Sequence, residues 1–155
     1  MTERWFPDAM PSPAVTDDTR PFFDAALEHR LLIQRCASCG THRHPPRPLC
    51  PYCHSFAAAW TEVPGTGTVF TYSVVHQPLL PALVDVVPYV VAVVELDGTG
   101  GTRLSSNLVD TPLDSLRAGL PVEVTWEDMS PTLTLPRFRP HPPGVTVDAR
   151  TAERG

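Results

Sequence analysis

Four cysteines occur in the 155 residues, as Cys36-Ala-Ser-Cys39 and, beyond a ten-residue spacer, Cys50-Pro-Tyr-Cys53. Two Cys-x-x-Cys pairs at this spacing let two chain reversals present four thiolates tetrahedrally to one zinc ion. Four protein ligands leave no coordination position for water or substrate, so such a metal is structural. Closing the site contributes roughly 10–16 kcal/mol of apparent metal-binding free energy at neutral pH, enough to order a segment with no apolar core of its own. An iron or redox-active centre is the other use of the same ligand set. Disulfides are disfavoured by the rest of the sequence. It has no apolar run long enough to cross a bilayer, and Glu3 and Asp8 stand where a signal peptide would carry a positive segment and an apolar core. The expectation is a cytoplasmic protein with no membrane partner, whose thiols stay reduced.

From His29 to His54 there are four arginines, Arg30, Arg35, Arg43 and Arg47, and no acidic residue. Two compatible roles are open to them. A tetrathiolate zinc centre carries about two negative charges, which nearby cations offset; and guanidinium forks match phosphate oxygens. His42, His44 and His54 are close enough in sequence to replace a cysteine, but with four cysteines present they read as surface or supporting groups. Arg137 and Arg139 read as the solvated face of an edge strand. Ser73, His76 and Asp85 could be imagined as nucleophile, base and orienter, yet no Gly-x-Ser-x-Gly turn surrounds the serine. Glu95 reads as a turn residue. No residue is assigned a catalytic role.

The net charge of −5 argues against a protein that binds by neutralising phosphates along a nucleic acid. All 12 basic residues are Arg, a bias that reflects a GC-rich coding sequence more than a function.

Elements that could position the cysteines follow from periodicity and proline. Residues 1–16 carry Pro7, Pro11 and Pro13 and no hydrophobic period, which predicts a flexible or extended arm on which Trp5 and Phe6 could still dock. Asp17, Asp18 and Thr19 offer N-cap chemistry. Pro21, Phe22, Phe23, Ala26 and Leu27 then follow at helical spacing, predicting about three turns to about Arg30 within a helical segment 17–31. Leu31 to Arg35 and Thr41 to His44 read as the two strands of a ribbon hairpin, with Gly40 easing the turn around the first thiolate pair. The ribbon is placed at 32–60, and Phe56 to Val63 is read as leaving it for the next module.

Three proline-free windows in residues 61–140 give strands. Thr68 to Val75 alternates, with Phe70 and Tyr72 as easily core as surface. Val90 to Leu96 and Arg103 to Val109 flank a glycine-rich turn and form a hairpin. Val122 to Trp126 follows a short helical stretch at Leu113 to Ala118. Thr132 to Phe138 contains Pro136 and is expected at an edge. Val90 to Val94 is apolar throughout, so both its faces should be covered, the outer one by the N-terminal helix. The fold class is therefore mainly β: an N-terminal α-helix, a zinc ribbon and a five-stranded OB-type barrel. Residues 141–155 read as a mobile tail.

Together, Thr19-Arg20-Pro21-Phe22-Phe23, Leu32-Ile33-Gln34-Arg35-Cys36, the segment Arg43-His44-Pro45-Pro46-Arg47-Pro48 between the cysteine pairs, Pro88-Tyr89-Val90-Val91-Ala92, Ser106-Asn107-Leu108-Val109 and Leu135-Pro136-Arg137-Phe138-Arg139-Pro140 form a pattern. It resembles the family of zinc-ribbon plus OB-fold proteins long filed as a domain of unknown function and linked to acyl-CoA metabolism. His54 stands where that family commonly has glycine, and Phe23 where it often has tryptophan. The resemblance implies Cys36, Cys39, Cys50 and Cys53 as ligands of one structural zinc within a rubredoxin-like ribbon, and an acyl-CoA that in some members passes between helix and barrel; the phosphate patch read above, Arg30, Arg35, Arg43 and Arg47, is then the expected CoA-binding set. It also implies a hetero-oligomer with a lipid-transfer-protein-type, thiolase-like enzyme that holds the catalytic residues. Steroid side-chain aldol cleavage is the pathway expected. The competing reading is a single-stranded nucleic-acid-binding module, since OB barrels and zinc ribbons both serve that purpose.

Overall fold

The computed structural model describes residues 4–142. Helix α1 (Arg20–Leu27) leads into three short strands, β1 (Leu32–Cys36), β2 (His42–Arg43) and β3 (Ala58–Glu62). Five more follow: β4 (Thr66–Val75), β5 (Tyr89–Leu96), β6 (Arg103–Leu108), β7 (Pro121–Ser130) and β8 (Leu133–Pro140). The fold is the one expected, mostly β with one helix, a cysteine ribbon and a closed five-stranded barrel. Among the described residues no helix is long and apolar enough to cross a membrane.

Pro21 lies in the first turn of α1, where its missing N–H costs nothing. The helix stops at two turns instead of three because His29 turns left-handed, with φ 56°. The amides of His29 and Arg30 then donate to the Ala26 and Ala25 carbonyls at 2.9 and 3.0 Å, a Schellman closure made without glycine. His29 stacks on Trp126 of β7, centroids 5.6 Å apart, and its Nε2 pairs with Asp128 at 2.9 Å. Helix end and barrel are thereby joined.

The first sheet runs β2-β1-β3, with β1 central. β3 was expected to leave the ribbon. It instead lies antiparallel along all of β1, from Leu32 opposite Glu62 to Cys36 opposite Ala58, and becomes the third ribbon strand. Ile33 is fully buried beneath this sheet, in one continuous core with Phe22, Leu31, Val63 and the barrel interior.

The second sheet closes in the order β4-β5-β6-β8-β7, with β7 returning to β4, which is the OB arrangement. On β5 Val90, Ala92, Val94 and Leu96 point inward and are buried. The outer face is less covered than its apolar sequence suggests. Val91 is 38 % exposed and floors a cleft opposite α1, so the helix faces this strand across a gap.

Phe70 and Tyr72 are surface residues and not core: Phe70 alternates with the buried Val69 and so faces outward, and the register of β4 against β5 shifts between Val69 and Thr71. β8 is not an edge strand. It pairs with β7 over most of its length and with β6 in parallel at one register, Leu108 opposite Phe138. Pro136 is tolerated because that second seam is held largely by side chains: Ser106 Oγ donates to the Pro136 carbonyl at 2.6 Å and Arg137 Nη1 to Asn107 Oδ1 at 2.9 Å.

The N-terminal segment docks through the two aromatics that the sequence singles out. The amides of Trp5 and Phe6 donate to Glu127 Oε1 at 2.7 and 2.8 Å, and Phe6 is buried edge-on against Tyr89. At the other end the His141 amide donates to the Pro121 carbonyl at 2.9 Å. The rest of the expected tail, residues 143–155, lies outside the described residues.

Candidate functional site

Both cysteine pairs sit on matching knuckles. Gly40 and His54, each directly after the second cysteine of its pair, adopt left-handed backbone with φ 75° and 58°. Their amides close the turns onto the Cys36 and Cys50 carbonyls at 2.9 and 3.0 Å. Glycine does this freely, and histidine does it at a cost of about 1 kcal/mol.

The four sulfurs lie within 4.8 Å of one another. Cys36 and Cys53 approach to 3.5 Å and Cys39 and Cys50 to 3.7 Å, so none is disulfide-bonded. A tetrahedron with Zn–S bonds of 2.3 Å has edges of about 3.8 Å, so the cluster already has the size of a zinc site. Its electrostatics point the same way. The Cys39 amide, donating toward the Cys36 sulfur, holds that thiol down to about 6. The Ser55 amide favours the Cys53 thiolate as well, yet the neighbouring Cys36 sulfur and burial push Cys53 up to about 11. Negative charge on Cys53 beside the Cys36 sulfur is thus resisted until a cation shares the site. Cys36, Cys39, Cys50 and Cys53 fit a closed, structural zinc, which fixes the ribbon and leaves no position for a reacting group.

The four arginines do not converge. Arg30 is held by Glu62 at 2.8 Å and Glu28 at 3.0 Å. Arg43 is buried, with Nε donating to Gln34 Oε1 at 2.6 Å and Nη2 to the Arg47 carbonyl at 3.0 Å. Gln34 Oε1 also accepts the Arg47 amide at 2.8 Å, so a buried glutamine clamps the loop that leads to the second cysteine pair. Arg35 is exposed beside His42, opposite it in the ladder. Arg43 and Arg47 alone share a pocket wall.

A cleft of about 590 Å³ opens between α1, the proline loop of the ribbon and the outer face of β5, β6 and β8. Phe22 and Phe23 form one wall, His44 and Pro46 the rim, and Val91 and Ser106 the floor. His44 adds a contact between ribbon and helix at this rim. Its ring lies 5.2 Å from that of Phe22, and burial pushes its pKa down to about 4, so the cleft presents a neutral imidazole at neutral pH.

Among the described residues no hydrogen bond links Ser73, His76 and Asp85. Glu95 is a strand residue paired with Arg103 at 3.2 Å, not a turn residue. Arg103 also caps the exposed Phe70 ring at 3.5 Å, but with Glu95 beside it this patch is not a net cationic track for a nucleic acid.

The residue missed in the sequence is Glu127. It is fully buried, receives the Trp5 and Phe6 amides on one oxygen, and receives Arg137 Nε at 2.7 Å on the other. Arg137, expected on a solvated edge, is therefore mostly enclosed, with its guanidinium 4.7 Å over the Phe6 ring. Only the alternation of Val122, Val124 and Trp126 hints that Glu127 faces the other way, and nothing local shows what covers that face.

Comparison with known proteins agrees with this construction. Residues 23–58 match the family model of the ChsH2 rubredoxin-like zinc ribbon domain, and residues 60–127 that of the ChsH2 C-terminal OB-fold domain. A solved structure described as an Ltp2-ChsH2(DUF35) aldolase contains a chain 50% identical to this one, superposing with a TM-score of 0.74 over 83% of this chain and 98% of that one. A probable enoyl-CoA hydratase alpha subunit of Thermomonospora curvata is 50% identical over 133 residues, 86% of this chain and 40% of that protein. The 3-oxo-4,17-pregnadiene-20-carboxyl-CoA hydratase alpha subunit of Mycobacterium tuberculosis is 38% identical over 122 residues, 79% of this chain and 38% of that protein. The chain thus spans about two fifths of the length of these two curated relatives. With helix, tetracysteine ribbon and OB barrel in the same order and matched across nearly the whole of a solved relative, the chain belongs to the DUF35 family of ChsH2-type zinc-ribbon and OB-fold proteins.

Proposed function

We propose that this chain is a non-catalytic, zinc-stabilised accessory subunit that docks on a thiolase-fold enzyme acting on an acyl-CoA and supports its stability and ligand binding. The observation that carries the reading is the 50% identity over 98% of the ChsH2(DUF35) chain, whose own name places it in an aldolase with Ltp2. The molecule is built in keeping with it. Its tetracysteine site is closed to substrate, and the loop between β4 and β5 exposes Leu79, Leu80 and Val84 at 76, 38 and 59 %. An apolar loop of this kind serves as a protein contact.

The apolar cleft beside α1 is the place for part of the thioester. Phe22, Phe23 and Val91 suit an acyl or pantetheine chain, and the Ser105, Ser106 and Asn107 side of the wall supplies polar groups. Steroid side-chain cleavage is the finer reading, supported by the pregnadiene carboxyl-CoA in the name of the mycobacterial relative and the aldolase in that of the solved one. Hydration, the activity in the longer relatives' names, is not carried over to a chain that spans two fifths of them.

Co-expression with a thiolase-fold partner and size-exclusion chromatography test the proposal. Co-elution is expected, with loss of partner activity when this chain is omitted. The double variant Leu79→Glu/Val84→Glu should abolish co-elution while retaining zinc and barrel structure. Separate elution with partner activity unchanged would refute the subunit role.

A further inference from the structure

A second pocket, of about 260 Å³, lies between the ribbon and the turn joining β5 to β6. Arg43, Arg47 and Tyr52 line it from the ribbon, Gly100, Gly101 and Thr102 line it from the turn, and none of its wall residues is acidic. Arg43 is the most informative of these. Its side chain is more than nine-tenths buried and two of its nitrogens are bonded, but Nη1 is enclosed with no hydrogen-bond partner among the described residues. A buried cationic N–H left unpaired is costly, and in native structures such a donor marks a place completed by an ion, a water or a ligand.

The surroundings suit an anion with an aromatic group attached. Arg47 has its main chain tied at both ends, its amide to Gln34 and its carbonyl to Arg43, while among the described residues its guanidinium takes part in no ion pair. Gly100 and Gly101 have φ of 67° and 99°, and a Cβ on either would meet nothing within 4 Å, so the turn leaves open space beside its backbone. Tyr52 is 74 % exposed and offers a flat ring next to two guanidinium groups. Pro45 lines both this pocket and the α1 cleft, so one elongated molecule can lie across it into both.

We propose that this pocket binds the phosphate-bearing nucleotide end of the acyl-CoA, with Arg43 and Arg47 on phosphate oxygens and Tyr52 against the base. The proposal rests on the thioester reading of the cleft and deepens it by assigning the head group. It narrows the phosphate contacts to two of the four arginines, since Arg30 is engaged by two glutamates and Arg35 does not line the pocket.

Isothermal titration of the zinc-loaded full chain with 3′,5′-ADP, CoA, an acyl-CoA, inorganic phosphate and a short single-stranded oligonucleotide provides the test. Binding of 3′,5′-ADP and CoA is expected. Arg47→Glu should weaken both by at least about tenfold and Tyr52→Ala by a few fold, with zinc content and melting temperature unchanged. These exposed positions carry the test because Arg43 is also a structural residue. No binding of 3′,5′-ADP, or equal binding by Arg47→Glu, would overturn the head-group site. Inorganic phosphate binding as tightly as 3′,5′-ADP would mark an adventitious ion only, and a tighter oligonucleotide would mark a nucleic-acid site. An acyl-CoA that binds equally to wild type and Arg47→Glu refutes this pocket and leaves the cleft standing. If 3′,5′-ADP binds but an acyl chain adds nothing to its affinity, the cleft fails and this pocket stands.

Discussion

The ribbon and the barrel touch, yet they are ordered by different forces. Of the largest side chains under 2 % exposed, the ribbon supplies Ile33 and the sulfur-bearing Cys36 and Cys50, whereas the barrel supplies Phe138, Val69, Val94, Val122 and the carboxylate of Glu127. The ribbon is thus organised around a charge centre and the barrel around excluded water. Surfaces that need no rigid interior of their own, the proline loop with His44 and the wall with Arg43 and Arg47, sit where the two meet. The cleft and the basic pocket are features of that junction.

Removing zinc should separate the two regions most sharply. Metal binding worth roughly 10–16 kcal/mol in comparable sites has no apolar substitute here. Chelation is expected to abolish amide protection across 32–62 while strands of 66–140 stay protected, as read by hydrogen exchange. Loss of both together would show that the barrel depends on the metal too. The reverse experiment is Phe138→Ala, which empties the barrel centre and should cost about 3–5 kcal/mol in denaturant unfolding while zinc stoichiometry is retained.

Glu127→Ala should cost a similar 3–5 kcal/mol, because it strands an enclosed guanidinium and two amides. Its particular signature is loss of exchange protection at Trp5 and Phe6. The junction itself is tested by pH. Burial keeps the folded His44 near 4, below its ordinary 6.5, so the unfolded chain binds the extra proton between those values. Stability is complete above 6.5 and falls as pH drops toward 4, by about 1.4 kcal/mol per pH unit for this one group. His44→Leu should flatten that slope relative to wild type. Smallest is His54→Gly, which relieves the left-handed histidine and should stabilise the holo form by about 0.5–1 kcal/mol without altering the barrel.

Much of this arrangement was legible in the sequence where the deciding interactions are local. Cysteine spacing gave the metal centre, the glycine-rich turn at Asp97 to Gly101 gave the β5–β6 hairpin, and proline placement gave most strand ends. Pairings between distant segments were not legible. Nothing in Ala58 to Glu62 distinguishes a third ribbon strand from a first barrel strand, and nothing around Val90 to Val94 shows that its outer face borders a cleft. The orphan Nη1 of Arg43 is a matter of ångströms and has no sequence signature.

The seam between β6 and β8 carries a consequence for how this fold can vary. Elsewhere the barrel is closed by ladders whose register cannot change one residue at a time. Here closure rests on a single parallel register, the Val109 amide on the Phe138 carbonyl at 2.8 Å, and the side chains of Ser106, Asn107 and Arg137. Those same side chains line the cleft. Substitutions at Ser106 can therefore retune the width and polarity of the cleft wall without touching a buried side chain, whereas Arg137, tied to the buried Glu127, cannot be changed without disturbing the interior.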